Sequence, residues 1–278
     1  MTLPFRLFRA FWSLPVLAAA LLGAAPAQAQ GDLLVAPTRI VINGAGSAEV
    51  VLNNIGDQPA TYRIGLELRR MTADGALEAV DAASITPEQK AVLDMFRYSP
   101  RRITLPPNQP QSVRISARPP EGLADGEYRV QMSFRAIPEA RPVEEAGAGD
   151  SATGFTIKLT PIYGVSIPLI LRKGQATAVA SLAHAAVVRE GEAARLTVDL
   201  ERQGNRSIYG EVRVVAAGVK EPLFLVRGIA VYTEVTKRRL EFPLTAEQAA
   251  RLKGPVTVEY REMPENGGRL LASLPVKL

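Results

Sequence analysis

Apolar and polar residues alternate along most of this 278-residue chain, a period of two that marks extended strands with one face on a core and the other in water. Tyr62, Ile64, Leu66 and Leu68 alternate with Arg63, Gly65 and Glu67. Val113, Ile115 and Ala117 alternate with Arg114, Ser116 and Arg118, and Tyr128, Val130, Met132 and Phe134 with Arg129, Gln131, Ser133 and Arg135. Val50 to Leu52 and Ile103 to Leu105 read as shorter strands, bounded by the turn-forming runs Asn53-Asn54-Ile55-Gly56-Asp57 and Pro106-Pro107-Asn108. A period of two puts apolar residues all round a helix, so the pattern predicts an all-β chain.

One helix interrupts it. Thr86 is placed to cap it, Pro87 suits its first position and Gln89 completes a capping box, with Ala91, Val92, Met95 and Phe96 at helical spacing. This helix is expected to cover one end of a sandwich. From Pro138 to Gly154 the composition shifts to Pro, Glu, Ala, Gly, Asp and Ser, which reads as a mobile loop. A strand pattern then runs from Phe155 to Arg172, with Phe155, Ile157, Leu159, Tyr163, Val165, Ile167, Leu169 and Leu171 all at odd positions. Extended at ~3.3 Å per residue it would reach about 60 Å, so part of it must project beyond one sheet, bend or cross a domain boundary.

Lys173-Gly174-Gln175 reads as a linker. Strand patterns resume at Leu196 to Leu200, Glu211 to Val214, Ile229 to Tyr232, Leu240 to Phe242, Val256 to Tyr260 and Leu274 to Leu278, with Glu265-Asn266-Gly267-Gly268 as a hairpin turn between the last two. Two groups of short strands predict two tandem immunoglobulin-like β-sandwiches. The expected boundaries are 30–172 for the first domain and 173–278 for the second. Residues 1–29 read as a signal peptide: Arg6 and Arg9, an apolar run from Ala10 to Ala25, and Ala27-Gln28-Ala29 at a cleavage site. The alternative, a retained membrane anchor, is short for a span and contains Ser13 and Pro15. Without a single Cys, an exported product must be stabilised by packing alone.

Catalytic chemistry has little to stand on. His184 is the one His and sits between Ala183 and Ala185, so it reads as a strand-surface or partly buried residue. One His and no Cys cannot build a zinc site of those ligands, and no nucleophile elbow, phosphate loop or dinucleotide fingerprint is present. The chain is therefore expected to be no enzyme and to use neither metal nor cofactor. A formal net charge of +5 is too small to imply nucleic acid, and Arg69-Arg70, Arg101-Arg102 and Lys237-Arg238-Arg239 read as solvated strand edges.

Binding is better supported. Arg39 shares an alternate row with Val35 and Val41, and a charge in an apolar row is either exposed at an edge or aimed at a specific anion. An acidic loop followed by large alternating apolar residues is what a sheet edge needs to add a strand to another protein. Val165 to Leu171 read as core; Phe155, Ile157 and Leu159 are the candidates for contact with a partner.

In Leu34-Val35-Ala36-Pro37-Thr38-Arg39, Val51-Leu52-Asn53-Asn54, Ser99-Pro100, Leu105-Pro106-Pro107, Gln111-Ser112-Val113-Arg114, Gly126-Glu127-Tyr128-Arg129 and Tyr163-Gly164-Val165-Ser166-Ile167-Pro168, taken in order, the chain resembles the periplasmic pilus chaperone family. A looser match falls at Arg206-Ser207-Ile208-Tyr209-Gly210-Glu211. The resemblance implies two immunoglobulin-like domains at an angle that bind pilin-like subunits in the cleft between them. The long strand would be lent to an incomplete pilin sandwich, by donor-strand complementation, and the subunit passed to an outer-membrane usher. It also implies a periplasmic location. In the family an Arg of the first strand and a Lys of the long strand grip the subunit's terminal carboxylate. Arg39 matches the Arg; the Lys has no counterpart in Ser166-Ile167-Pro168, which leaves Arg39 alone or helped by the hydroxyl of Ser166 or Tyr163, with Lys158 a substitute only in a different register. The expected subunit-binding residues are Arg39, Phe155, Ile157, Leu159, Tyr163 and Ser166. The helix-bearing insertion suggests a divergent branch. The same exposed strand also permits self-association, and the rival reading is a secreted two-domain binding or adhesion module.

Overall fold

The computed structural model describes residues 33–138, 162–191 and 193–278. The signal peptide expected at 1–29, all but the first residue of the loop expected at 138–154, and Phe155, Ile157, Lys158 and Leu159 lie outside the described residues.

The chain is all-β, with strands gathered around two separate cores. In order, the first half holds β1 (Leu33–Ala36), β2 (Ile40–Asn43), β3 (Gly46–Asn54), β4 (Ala60–Glu67), β5 (Arg69–Met71), β6 (Leu77–Ala79), α1 (Pro87–Asp94), β7 (Phe96–Ser99), β8 (Arg102–Leu105), β9 (Gln111–Ala117), β10 (Gly126–Ile137) and β11 (Gly164–Lys173). One sheet runs β1-β3-β9-β7 and the facing one β2-β11-β10-β4-β8. The entering chain thus changes sheets at Pro37, pairing first antiparallel with β3 and then parallel with β11. The alternating residues read from the sequence meet between the layers: Val50, Leu52, Val113 and Ile115 from one sheet, Ile64, Val130, Met132, Phe134, Ile167, Leu169 and Leu171 from the other. Each such side chain contributes roughly 1.5–3 kcal/mol by leaving water.

The second half holds β12 (Ala178–Glu190), β13 (Ala193–Gly204), β14 (Ile208–Val215), β15 (Phe224–Val231), β16 (Lys237–Leu244), α2 (Ala246–Arg251), β17 (Pro255–Glu262) and β18 (Leu270–Lys277). Sheets β12-β13-β16 and β15-β14-β17-β18 enclose Leu196, Val198, Leu200, Val212, Val214, Val258 and Tyr260. Between β11 and β12 the chain turns at Gly174 (φ 57°), and the Gln175 amide donates to Asp125 Oδ2 at 2.9 Å. The turn between β17 and β18 places Gly267 and Gly268 at φ 99° and 62°.

The predicted helix is present as α1, with the Thr86–Gln89 capping box formed in both directions. It is shorter than its apolar spacing suggested: Met95 ends it and Phe96 begins β7, because both side chains are drawn into the first core. The β5–β6 hairpin and α2 were not expected; each is too short to show a period.

One expectation needs correction. Arg129, Gln131 and Ser133 were read as facing water, yet all three are buried. For Arg129 the reason is the second sandwich, which lays Tyr232 and Glu234 against it. Lys237 and Arg239 are exposed on the edge strand β16, as read, and within that run only Arg238 turns partly inward. Lys237 Nζ and Arg239 Nη1 lie 2.7 and 3.0 Å from the carboxylate of Asp199, which is buried, while Arg238 Nη1 donates to the Ala230 carbonyl at 2.8 Å. A buried acid demands cations, and strand-edge residues supply them. His184 is exposed, as read, with Nδ1 3.0 Å from Asp199 at a bulge in β12.

Candidate functional site

The two sandwiches meet over one face of the sheet β2-β11-β10-β4-β8. Ile170 of β11 is the first contributor, since it points away from the core that Leu169 and Leu171 fill. With Met71 it forms a small apolar cluster against Ala230 and Tyr232 of the second sandwich. The β5–β6 hairpin reaches across as well: Arg239 N donates to the Ala73 carbonyl at 3.0 Å.

Arg39 lies at this junction. It directly precedes β2, whose Ile40 and Val41 stand opposite Leu169 and Ile170 in parallel register. Its Nη1 donates to the Tyr232 hydroxyl at 3.2 Å and its Nη2 to the Ser207 hydroxyl at 3.0 Å. The guanidinium carbon sits 4.6 Å from the centre of the Tyr209 ring and 5.5 Å from that of Tyr232, close enough for cation–π attraction. Among the described residues no carboxylate pairs with Arg39. Its neighbours differ. Arg129 pairs with Glu234 at 2.8 Å, and Arg172 pairs with Glu127 at 3.0 Å. A guanidinium offers five N–H groups; Arg39 gives two to neutral hydroxyls, and no carboxylate among the described residues neutralises its charge.

Beside Arg39 runs an open edge. On one side β11 pairs with β10 from Gly164 to Lys173, but on the other β2 covers only Leu169 to Arg172. Among the described residues no strand pairs with Gly164–Pro168 on that second side. This stretch is about 16 Å long at ~3.3 Å per residue, the length of an ordinary strand. It carries exposed apolar side chains: Val165 is 37% exposed, and Tyr163 and Ile162, just before it, 43% and 64%. Tyr163 and Val165 continue the odd-numbered row that packs the core at Ile167, Leu169 and Leu171, past the point where the sandwich covers it.

Of the site residues read from the sequence, the structure therefore places Arg39, Tyr163 and Ser166 along one edge and its end. Ser166 is exposed and stands opposite Ser133 of β10. Neither Ser166 nor Tyr163 hydrogen-bonds to Arg39; the hydroxyls that do are those of Ser207 and Tyr232. Sequence reasoning missed both. The motif Arg206-Ser207-Ile208-Tyr209-Gly210-Glu211 was the available signal, for it carries Ser207 and Tyr209, but nothing local marked Tyr232.

Ser207 and Tyr232 are held in turn by Arg202, which is 4% exposed. Its guanidinium donates to the carbonyls of Gly204, Arg206, Thr233 and Val235, at 2.7 to 3.4 Å. Burial pulls its pKa below the ordinary arginine value, against the favourable fields of Glu127 and Glu234.

No protein-family model matches the sequence, and no curated protein is significantly similar to it. Solved structures are. The E. coli chaperone DraB shares 17% identity at a TM-score of 0.40, over 88% of this chain and 98% of that one. The Pseudomonas aeruginosa CupB2 chaperone shares 14% at 0.46, over 88% and 100%. A structure of the Salmonella enterica SafA pilin in complex with the SafB chaperone gives 16% at 0.41, over 88% and 96%. Each of these three structures contains a chaperone, and in one of them the chaperone holds a pilin.

Proposed function

We propose that this protein is a periplasmic chaperone for pilin-like subunits, binding without catalysis, metal or cofactor. It lends β11 to a subunit whose own sandwich lacks a strand, and releases the subunit to an outer-membrane usher. The observation that carries the proposal is the alignment of the open β11 edge with Arg39. A strand added beside Gly164–Pro168 lies end to end with β2, which already runs parallel to β11. If it too runs parallel, its last residue arrives beside Arg39, and its terminal carboxylate meets a guanidinium that no carboxylate among the described residues neutralises. Backbone bonds along the edge supply affinity that depends little on subunit sequence. The apolar row through Tyr163 and Val165 then enters the subunit's core in place of the missing strand. Pro168 offers no N–H, so pairing weakens where the added strand gives way to β2.

The test is co-expression of the tagged chain with small exported proteins encoded beside it, followed by pull-down. Arg39→Ala should abolish capture while far-UV circular dichroism stays that of the parent. Unchanged co-purification removes Arg39 from the mechanism, and failure of the parent chain to capture any such protein removes the chaperone reading.

A further inference from the structure

The charge of Arg39 comes from the first sandwich, but among the described residues the side chains that orient it come from the second. Its two hydrogen-bond acceptors lie 168 and 193 residues further along the chain. Both are hydroxyls, one 2% exposed as Ser207 and one on Tyr232 at 6%, and both are neutral. That chemistry has a consequence. An acid in their place would fix the guanidinium equally well and cancel its charge, as Glu234 does for Arg129 at the same junction. A hydroxyl fixes the direction of an N–H and leaves the charge for something else. The aromatic rings of Tyr209 and Tyr232 act the same way, favouring a cation near their faces without neutralising it. Arg202 completes the device. Its four bonds join the loop before Ser207 to the one after Tyr232, so the two acceptors are held at a set separation.

We propose that Ser207, Tyr209 and Tyr232 are positioning residues that hold the Arg39 guanidinium ready for the terminal carboxylate of an extended peptide segment, so that the anchor is complete only when both sandwiches contribute. This rests on the edge-pairing function proposed above. Ordering a free arginine on binding costs affinity; prior fixation removes that cost. Loss of the two hydroxyls should therefore weaken carboxylate recognition by up to about tenfold, the scale of immobilising one long side chain.

The experiment uses the full mature chain and a fluorescent, N-acetylated eight-residue peptide of alternating valine and threonine, made with either a free carboxylate or an amide at its C-terminus. Anisotropy gives Kd for each form against the parent, Arg39→Ala, and the double variant Ser207→Ala/Tyr232→Phe, which keeps the ring of Tyr232. The parent should prefer the carboxylate form, Arg39→Ala should erase that preference, and the double variant should narrow it while binding the amide form as the parent does. If the double variant keeps the full preference, or weakens both forms equally, the positioning role is refuted and the edge-pairing function stands. If the parent binds neither form, or binds both alike, the carboxylate anchor fails and this inference fails with it.

Discussion

Replacing Glu234 by Gln tests whether the junction between the sandwiches is held as its geometry implies. The Arg129 side chain is 3% exposed, and its Nη2 reaches Glu234 Oε1 at 2.8 Å and the Arg69 carbonyl at 2.7 Å, with the Tyr232 ring centre 4.0 Å from the guanidinium carbon. Gln keeps the shape and a hydrogen-bond acceptor but removes the only carboxylate paired with that cation among the described residues. Leaving a fully buried charge unpaired costs about 3–5 kcal/mol. The Glu234 side chain is 26% exposed, so water already reaches its side of the pair, and the expected loss is about 2–3 kcal/mol. Arg129→Met should cost less than this, because the glutamate left behind can be hydrated while a stranded guanidinium cannot. The double variant should then be more stable than the sum of the two losses implies. Urea unfolding followed by far-UV circular dichroism gives all three values from the midpoints, provided the slope is unchanged. A loss below about 0.5 kcal/mol for Glu234→Gln, or strict additivity in the double variant, would show that the pair is effectively solvated and would refute the reasoning.

Three further outcomes follow from the same coordinates. Val165→Lys, on the exposed stretch of the apolar row, should change stability by no more than about 0.5 kcal/mol while reducing capture of a subunit, measured by pull-down beside a urea titration. Gly204→Ala should destabilise by about 1–3 kcal/mol in a thermal melt, because φ is 109° there and a Cβ would stand 2.3 Å from the Thr177 carbonyl. Stability should hold steady from pH 7 down to about 5 and fall below about 4, in urea midpoints measured across that range. Burial by itself would raise the carboxyl pKa values of Asp199 and Glu211. Lys237, Arg239 and His184 around the first, and Arg213 and Arg227 around the second, outweigh it and bring both below the ordinary value. A folded pKa below the unfolded one contributes stability above the unfolded value and loses it as pH falls through the folded one. Asp199→Asn with Glu211→Gln should flatten that acid slope, and a fall that begins above pH 5 would point to other groups.

Alternation was enough to specify the class of fold, because a strand with one face on a core must repeat every second residue; Val130, Met132 and Phe134 could be assigned inward without coordinates. The capping box at Thr86 was legible for a similar reason, being completed within four residues. Arg39 could be singled out too, since a cation in an apolar row needs an explanation wherever it falls. What covers a polar face is a different matter. Nothing within reach of Arg129 along the chain says that Glu234 will bury it, and nothing near Arg39 names Ser207 or Tyr232, because those contacts exist only once two separately packed cores are brought together. Period and capping are local properties of the backbone and its nearest side chains, whereas the pairing of charges across a junction depends on how two surfaces meet.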